Sequence, residues 1–155
     1  MTKILIAVFA ASLAACSPCE NEWEWQTRSG LCVDDISLEA DQRAEVRAHL
    51  DEVVAVGQEW WRVESLSGWR LKFTDAPIDG SPAVTYGGSW NLILMAPPRD
   101  MVCAPGVARF LPHEMGHVAL NGDPNHTDPR WSRDQEFRDR MSELNSLGCD
   151  HGDLP

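Results

Sequence analysis

Residues 113–126 read HEMGHVALNGDPNH, and the reading of this stretch governs the rest of the chain. On an α-helix, positions four apart lie one above the other on the same face, so His113 and His117 direct their imidazoles at a common point. Glu114 sits one residue round from that line. It can take a proton from a metal-bound water without ligating the metal. Zinc lowers the pKa of such a water and polarises a carbonyl, and the proton on Glu114 can then pass to a leaving amine. Asn121-Gly122 supplies the helix stop, and Gly116, just before the second histidine, lets another backbone pass close.

A catalytic zinc takes three protein ligands and leaves one position for water. Three residues compete for the third place: Asp123 six positions after His117, His126 nine after it, and Glu136 nineteen after it. HEMGH followed by NHTDPRW resembles the metzincin zinc peptidases, through His113, Glu114, His117, Gly122 and His126. That resemblance implies a small α+β zincin-like domain with one Zn²⁺, held by His113, His117 and His126, and Glu114 as general base. The family's glycine falls here at Leu120, and its third-ligand position at Asp123, so Asp123 stays in contention. Glu136 belongs to a second resemblance, to gluzincin peptidases, whose third ligand is a glutamate on a following helix. Asp128 is a candidate to orient a ligand histidine, and Tyr86 to stabilise an oxyanion.

Outward from the motif, the helix carrying it is expected to begin near Phe110, because Pro112 inside a helix removes a hydrogen bond and is best placed in the first turn. A closing helix is expected over residues 132–147. Upstream, Val46, Leu50, Val53, Val54, Gly57 and Trp61 recur at helical spacing. They predict a long backing helix, capped by Ser37 and running to about Arg62. Residues 69–73 alternate with period two and predict a half-buried strand. Residues 83–86 predict a second, and residues 90–95 a third that is more completely buried. The expected architecture is a few-stranded twisted sheet with the long helix behind it. The zincin resemblance implies that substrate lies extended along a sheet edge, for which residues 90–95 are the candidate.

The chain's beginning reads as export. Met1-Thr2-Lys3 is a short positive region, and an apolar run too short to span a bilayer follows it. LAAC, ending at Cys16, resembles the bacterial lipobox. The resemblance implies that residues 1–15 are a signal peptide and that Cys16 is lipidated, tethering the protein to the cell envelope. Residues 16–34 read as a tether and disulfide-closed lead-in, and residues 35–155 as the zincin-like domain. Four further cysteines suit an oxidising compartment, with Cys19–Cys32 and Cys103–Cys149 the favoured pairs among three connectivities. The 155 residues carry a formal charge of −11, and losing residues 1–15 would make it one unit more negative. Such a charge argues against nucleic acid and anionic lipid surfaces as partners. The sequence therefore points to a zinc-dependent metallopeptidase of the envelope, acting on peptide or protein substrates. The alternative is a non-catalytic zinc-binding envelope lipoprotein.

Overall fold

Among the described residues, five short strands form one mixed sheet, and two helices pack on one of its faces. The structure, a computed structural model, describes residues 19–96 and 105–133 together with Gln135, Glu136 and Asp139. The strands are β1 (Trp25–Gln26), β2 (Cys32–Asp34), β3 (Arg70–Phe73), β4 (Ala83–Tyr86) and β5 (Leu92–Met95). The helices are α1 (Ala40–Trp61) and α2 (Pro105–Ala119), and a 3-10 turn follows at Pro129–Arg133. The sheet order is β1-β2-β3-β5-β4. β2, β3 and β5 run parallel, while β1 and β4 are antiparallel to their neighbours. The expected α+β class is therefore what the chain adopts. Among the described residues, no helix is long and apolar enough to cross a membrane.

Side chains alternate across a strand, so the pairing register fixes which residues share a face. Val33, Leu71 and Ile93 stand side by side, as do Phe73, Met95 and Ala83; all six are buried. The helices cover this row. α1 contributes Val46, Leu50, Val53, Val54 and Trp61, and α2 contributes Val107, Leu111 and Met115. The two helices cross closely at Gly57, where an added Cβ would lie 2.5 Å from the Met115 sulfur. A glycine is needed there because the thioether already occupies that space.

Several expectations change. Ser37 is not the helix cap: its hydroxyl donates to the Phe73 carbonyl at 2.8 Å, tying the approach to α1 onto β3. Glu39 is the N-cap instead, its backbone N–H donating to the Gln42 side chain at 3.0 Å. The lead-in is no mere tether. Residues 25–34 supply two strands and the fully buried Leu31 and Val33. The Cys19–Cys32 disulfide is present and fastens the chain's entry to β2. α2 begins at Pro105, not near Phe110, and holds Pro112 in its interior. The buried Trp61 indole donates to the Pro112 carbonyl at 2.7 Å, anchoring α2 to the end of α1 beside the proline. Residues 90–95 are not an edge. β5 lies between β3 and β4, and the edge strands are β4 and, at the far side, β1.

Residues 129–133 form the 3-10 turn where the closing helix was expected to start; Gln135, Glu136 and Asp139 are helical. The remainder of that helix, the signal peptide with Cys16, and the Cys103–Cys149 pairing lie outside the described residues.

Candidate metal centre

α2 presents His113 and His117 one turn apart and then stops. Asn121 and Gly122 take left-handed conformations (φ 52° and 91°), and the Gly122 N–H donates to the His117 carbonyl at 2.8 Å. The chain doubles back through Asp123, and His126, also left-handed at φ 53°, swings over the helix end. Its Nε2 lies 3.3 Å from the Nε2 of His117. One nitrogen or the other of His113, His117 and His126 lies within 4.8 Å of each partner's, and the three ring centroids are 5.0–5.2 Å apart. Two nitrogens each about 2.05 Å from a tetrahedral zinc lie about 3.3 Å apart. The His117–His126 spacing has that value, and a ligand nitrogen of His113 lies within 4.8 Å of both.

Trp131 forms the floor of this cluster. Its ring centroid is 5.1 Å from that of His113, 4.8 Å from His117 and 4.2 Å from His126. It meets Trp61 edge-on at 5.0 Å. These indoles explain Gly116. A Cβ there would lie 2.6 Å from Trp131 and 2.8 Å from Trp61, so two tryptophan rings, and not another backbone, make the close approach.

The electrostatics favour a neutral His117. Burial, then the neighbouring His113 and His126, lower the pKa of His117 to about 4, against the raising effect of a hydrogen bond to the Asp123 backbone. Its imidazole is therefore neutral at physiological pH, the form that binds metals. Glu114 is only 5% exposed. Burial raises its pKa, opposed by a hydrogen bond from Thr85 and by His113. That bond, from the Thr85 hydroxyl to a Glu114 carboxylate oxygen, is 2.6 Å long, and it links edge strand β4 to the carboxylate beside the histidines.

The three candidates for the third ligand separate. His126 joins the cluster. Glu136 does not: its side chain is 68% exposed and pairs with Arg133 at 3.6 Å. Asp123 sits beside the cluster but turns its carboxylate into its own loop. One oxygen accepts from the Thr127 hydroxyl at 2.9 Å. The other accepts from the Asp128 N–H at 2.7 Å and the Trp131 indole at 3.0 Å. The Asp128 N–H is the foremost cause of a pKa lowered to about 2. Asp128 turns its own carboxylate to Arg130 at 2.9 Å, not to a histidine. Tyr86 stands exposed at the end of β4.

Sequence reasoning missed Trp131 and Thr85. Trp131 lay in the quoted NHTDPRW without a role. Thr85 carries no local signal, because its meeting with Glu114 spans 29 residues. Fold and site together define an α+β domain with a three-histidine cluster next to a buried glutamate. Compared with protein families, curated proteins and solved structures, the chain matches none.

Proposed function

We propose that the chain is a zinc-dependent metallopeptidase of the cell envelope, with His113, His117 and His126 as zinc ligands and Glu114 as general base. The observation that carries this reading is the convergence of three imidazoles at zinc-ligand spacing beside a buried carboxylate. Three imidazole nitrogens, with a fourth position for water, are one donor set of a catalytic zinc. Zinc held there would acidify a bound water and polarise the substrate carbonyl. Glu114 takes the proton from the attacking water and delivers it to the leaving amine, and Thr85 fixes the orientation of the carboxylate through both transfers. β4 replaces residues 90–95 as the edge on which an extended substrate pairs. Of the two edge strands, β1 and β4, it is the one packed against α2, and its Thr85 touches Glu114. The lipobox resemblance supports an anchor at Cys16.

A second reading, a non-catalytic zinc-binding envelope lipoprotein, draws on the same burial of Glu114, which leaves little of the carboxylate open to solvent. One comparison separates the two: zinc quantified in the purified protein, with wild type and Glu114→Ala tested on unfolded protein substrates. Stoichiometric zinc with cleavage lost in Glu114→Ala supports the peptidase. Zinc without cleavage by wild type favours the binding reading, and absence of zinc rejects both.

A further inference from the structure

We infer that Asp123 is the positioning residue of the metal centre: its carboxylate ties the His126 loop closed and sets the tryptophan on which the imidazoles rest. This rests on the zinc reading above. It assigns Asp123 a role that its place in the sequence, at the family's third-ligand position, would not suggest.

The carboxylate is the hub of residues 123–131. It accepts from the Thr127 hydroxyl, the Asp128 N–H and the Trp131 indole, while the Asp123 carbonyl accepts from the His126 N–H at 3.3 Å. Three donors drawn onto one side chain close the turn on both sides of His126. They hold that residue at a left-handed φ of 53°, a conformation a histidine does not adopt freely. The same carboxylate sets Trp131 by its indole N–H, and Trp131 is the surface on which all three imidazoles rest. With its carboxylate oxygens engaged in this way, Asp123 serves the metal through His126 and Trp131 and not as a ligand.

The test titrates zinc against a chromophoric chelator in wild type, Asp123→Ala, Asp123→Asn and Thr127→Ala. Coordination is read by X-ray absorption, and closure of the loop from the solvent exchange of the Trp131 indole N–H in the metal-free protein. Asp123→Ala should weaken zinc about 10- to 100-fold, the range for outer-shell partners, while lowering the number of histidine ligands. Asp123→Asn, which keeps one acceptor oxygen, should recover part of that loss. Thr127→Ala should weaken zinc by a smaller factor, and the Trp131 indole N–H should exchange faster with solvent in Asp123→Ala. Wild-type zinc affinity in Asp123→Ala would overturn the inference. So would a carboxylate oxygen in the wild-type zinc shell together with an unchanged affinity in Thr127→Ala. Should Asp123→Ala not fold, the other two variants carry the comparison. A wild type that takes up no zinc rejects the metal reading, while the Trp131 indole exchange still decides whether Asp123 closes the loop.

Discussion

His117 shows how far a position can move a side chain's chemistry. Its folded pKa of about 4 lies below the ordinary histidine value of about 6.5, so the unfolded chain binds the proton more readily. The metal-free protein should therefore lose stability as pH falls from about 6.5 toward 4, with no such contribution above that window. A ¹⁵N or ¹³C titration of the metal-free protein should place the His117 midpoint near 4; a midpoint near 6.5 would contradict the burial described here. At the same scale, His126→Ala should weaken zinc more than the roughly 100-fold that outer-shell partners command, while Glu136→Ala should leave zinc affinity unchanged. Equal losses in the two variants would reject the assignment of His126. His113, Glu114 and His117 were legible because their relation is the helix repeat itself. The choice among His126, Asp123 and Glu136 was not. It depends on where a loop closes, and that is settled by Asp123's hydrogen bonds and the Trp131 floor, neither of which has a spacing rule.

At the scale of elements, α1 was legible residue by residue: the six positions at helical spacing are the six buried ones. β1 and β2 were not, since runs of two and three residues are too short to show an alternation. The misplacement of β5 is instructive. Leu92-Ile93-Leu94-Met95 is apolar without alternation, which is how a strand with neighbours on both sides reads; sheet order is a tertiary property. Gly116→Ala drives a methyl into Trp131 and Trp61, where α2 offers no slack. It should cost about 1–3 kcal/mol, the range for overpacking, in a denaturant titration, and weaken zinc as well; an unchanged midpoint would show that the indoles yield. The buried Asp35 accepts from the Trp25 indole at 2.8 Å and pairs with Arg47 at 2.8 Å, joining β1 to α1. Asp35→Ala leaves the Trp25 N–H unsatisfied and should lower stability by about 1–3 kcal/mol with zinc affinity unchanged. A loss of zinc binding there would mean that the sheet and the metal centre are less separable than their contacts indicate.

For the whole molecule, the proposed ligand set makes metal a folding partner. An ion that binds the folded state alone stabilises it by about 2.7 kcal/mol when present at 100 times its dissociation constant. Zinc should therefore raise the melting temperature of the protein and a chelator should lower it, with the His126→Ala variant insensitive to both. A wild type whose melting is indifferent to zinc would exclude the histidine cluster as a tight site. The formal charge of −11 adds a long-range attraction for cations that salt should weaken.

The separations along the chain imply an order of events. His117 and His126 are nine residues apart, and Trp131 lies five positions further on. Gathering the donors thus closes only short loops, which is cheap in chain entropy and fast. Thr85 must reach Glu114 across 29 residues, and only after β4 has found its place at the edge of the sheet. A chain folding in the presence of zinc is thus expected to capture the ion first and acquire an oriented base afterwards, so that the molecule is loaded before it is armed.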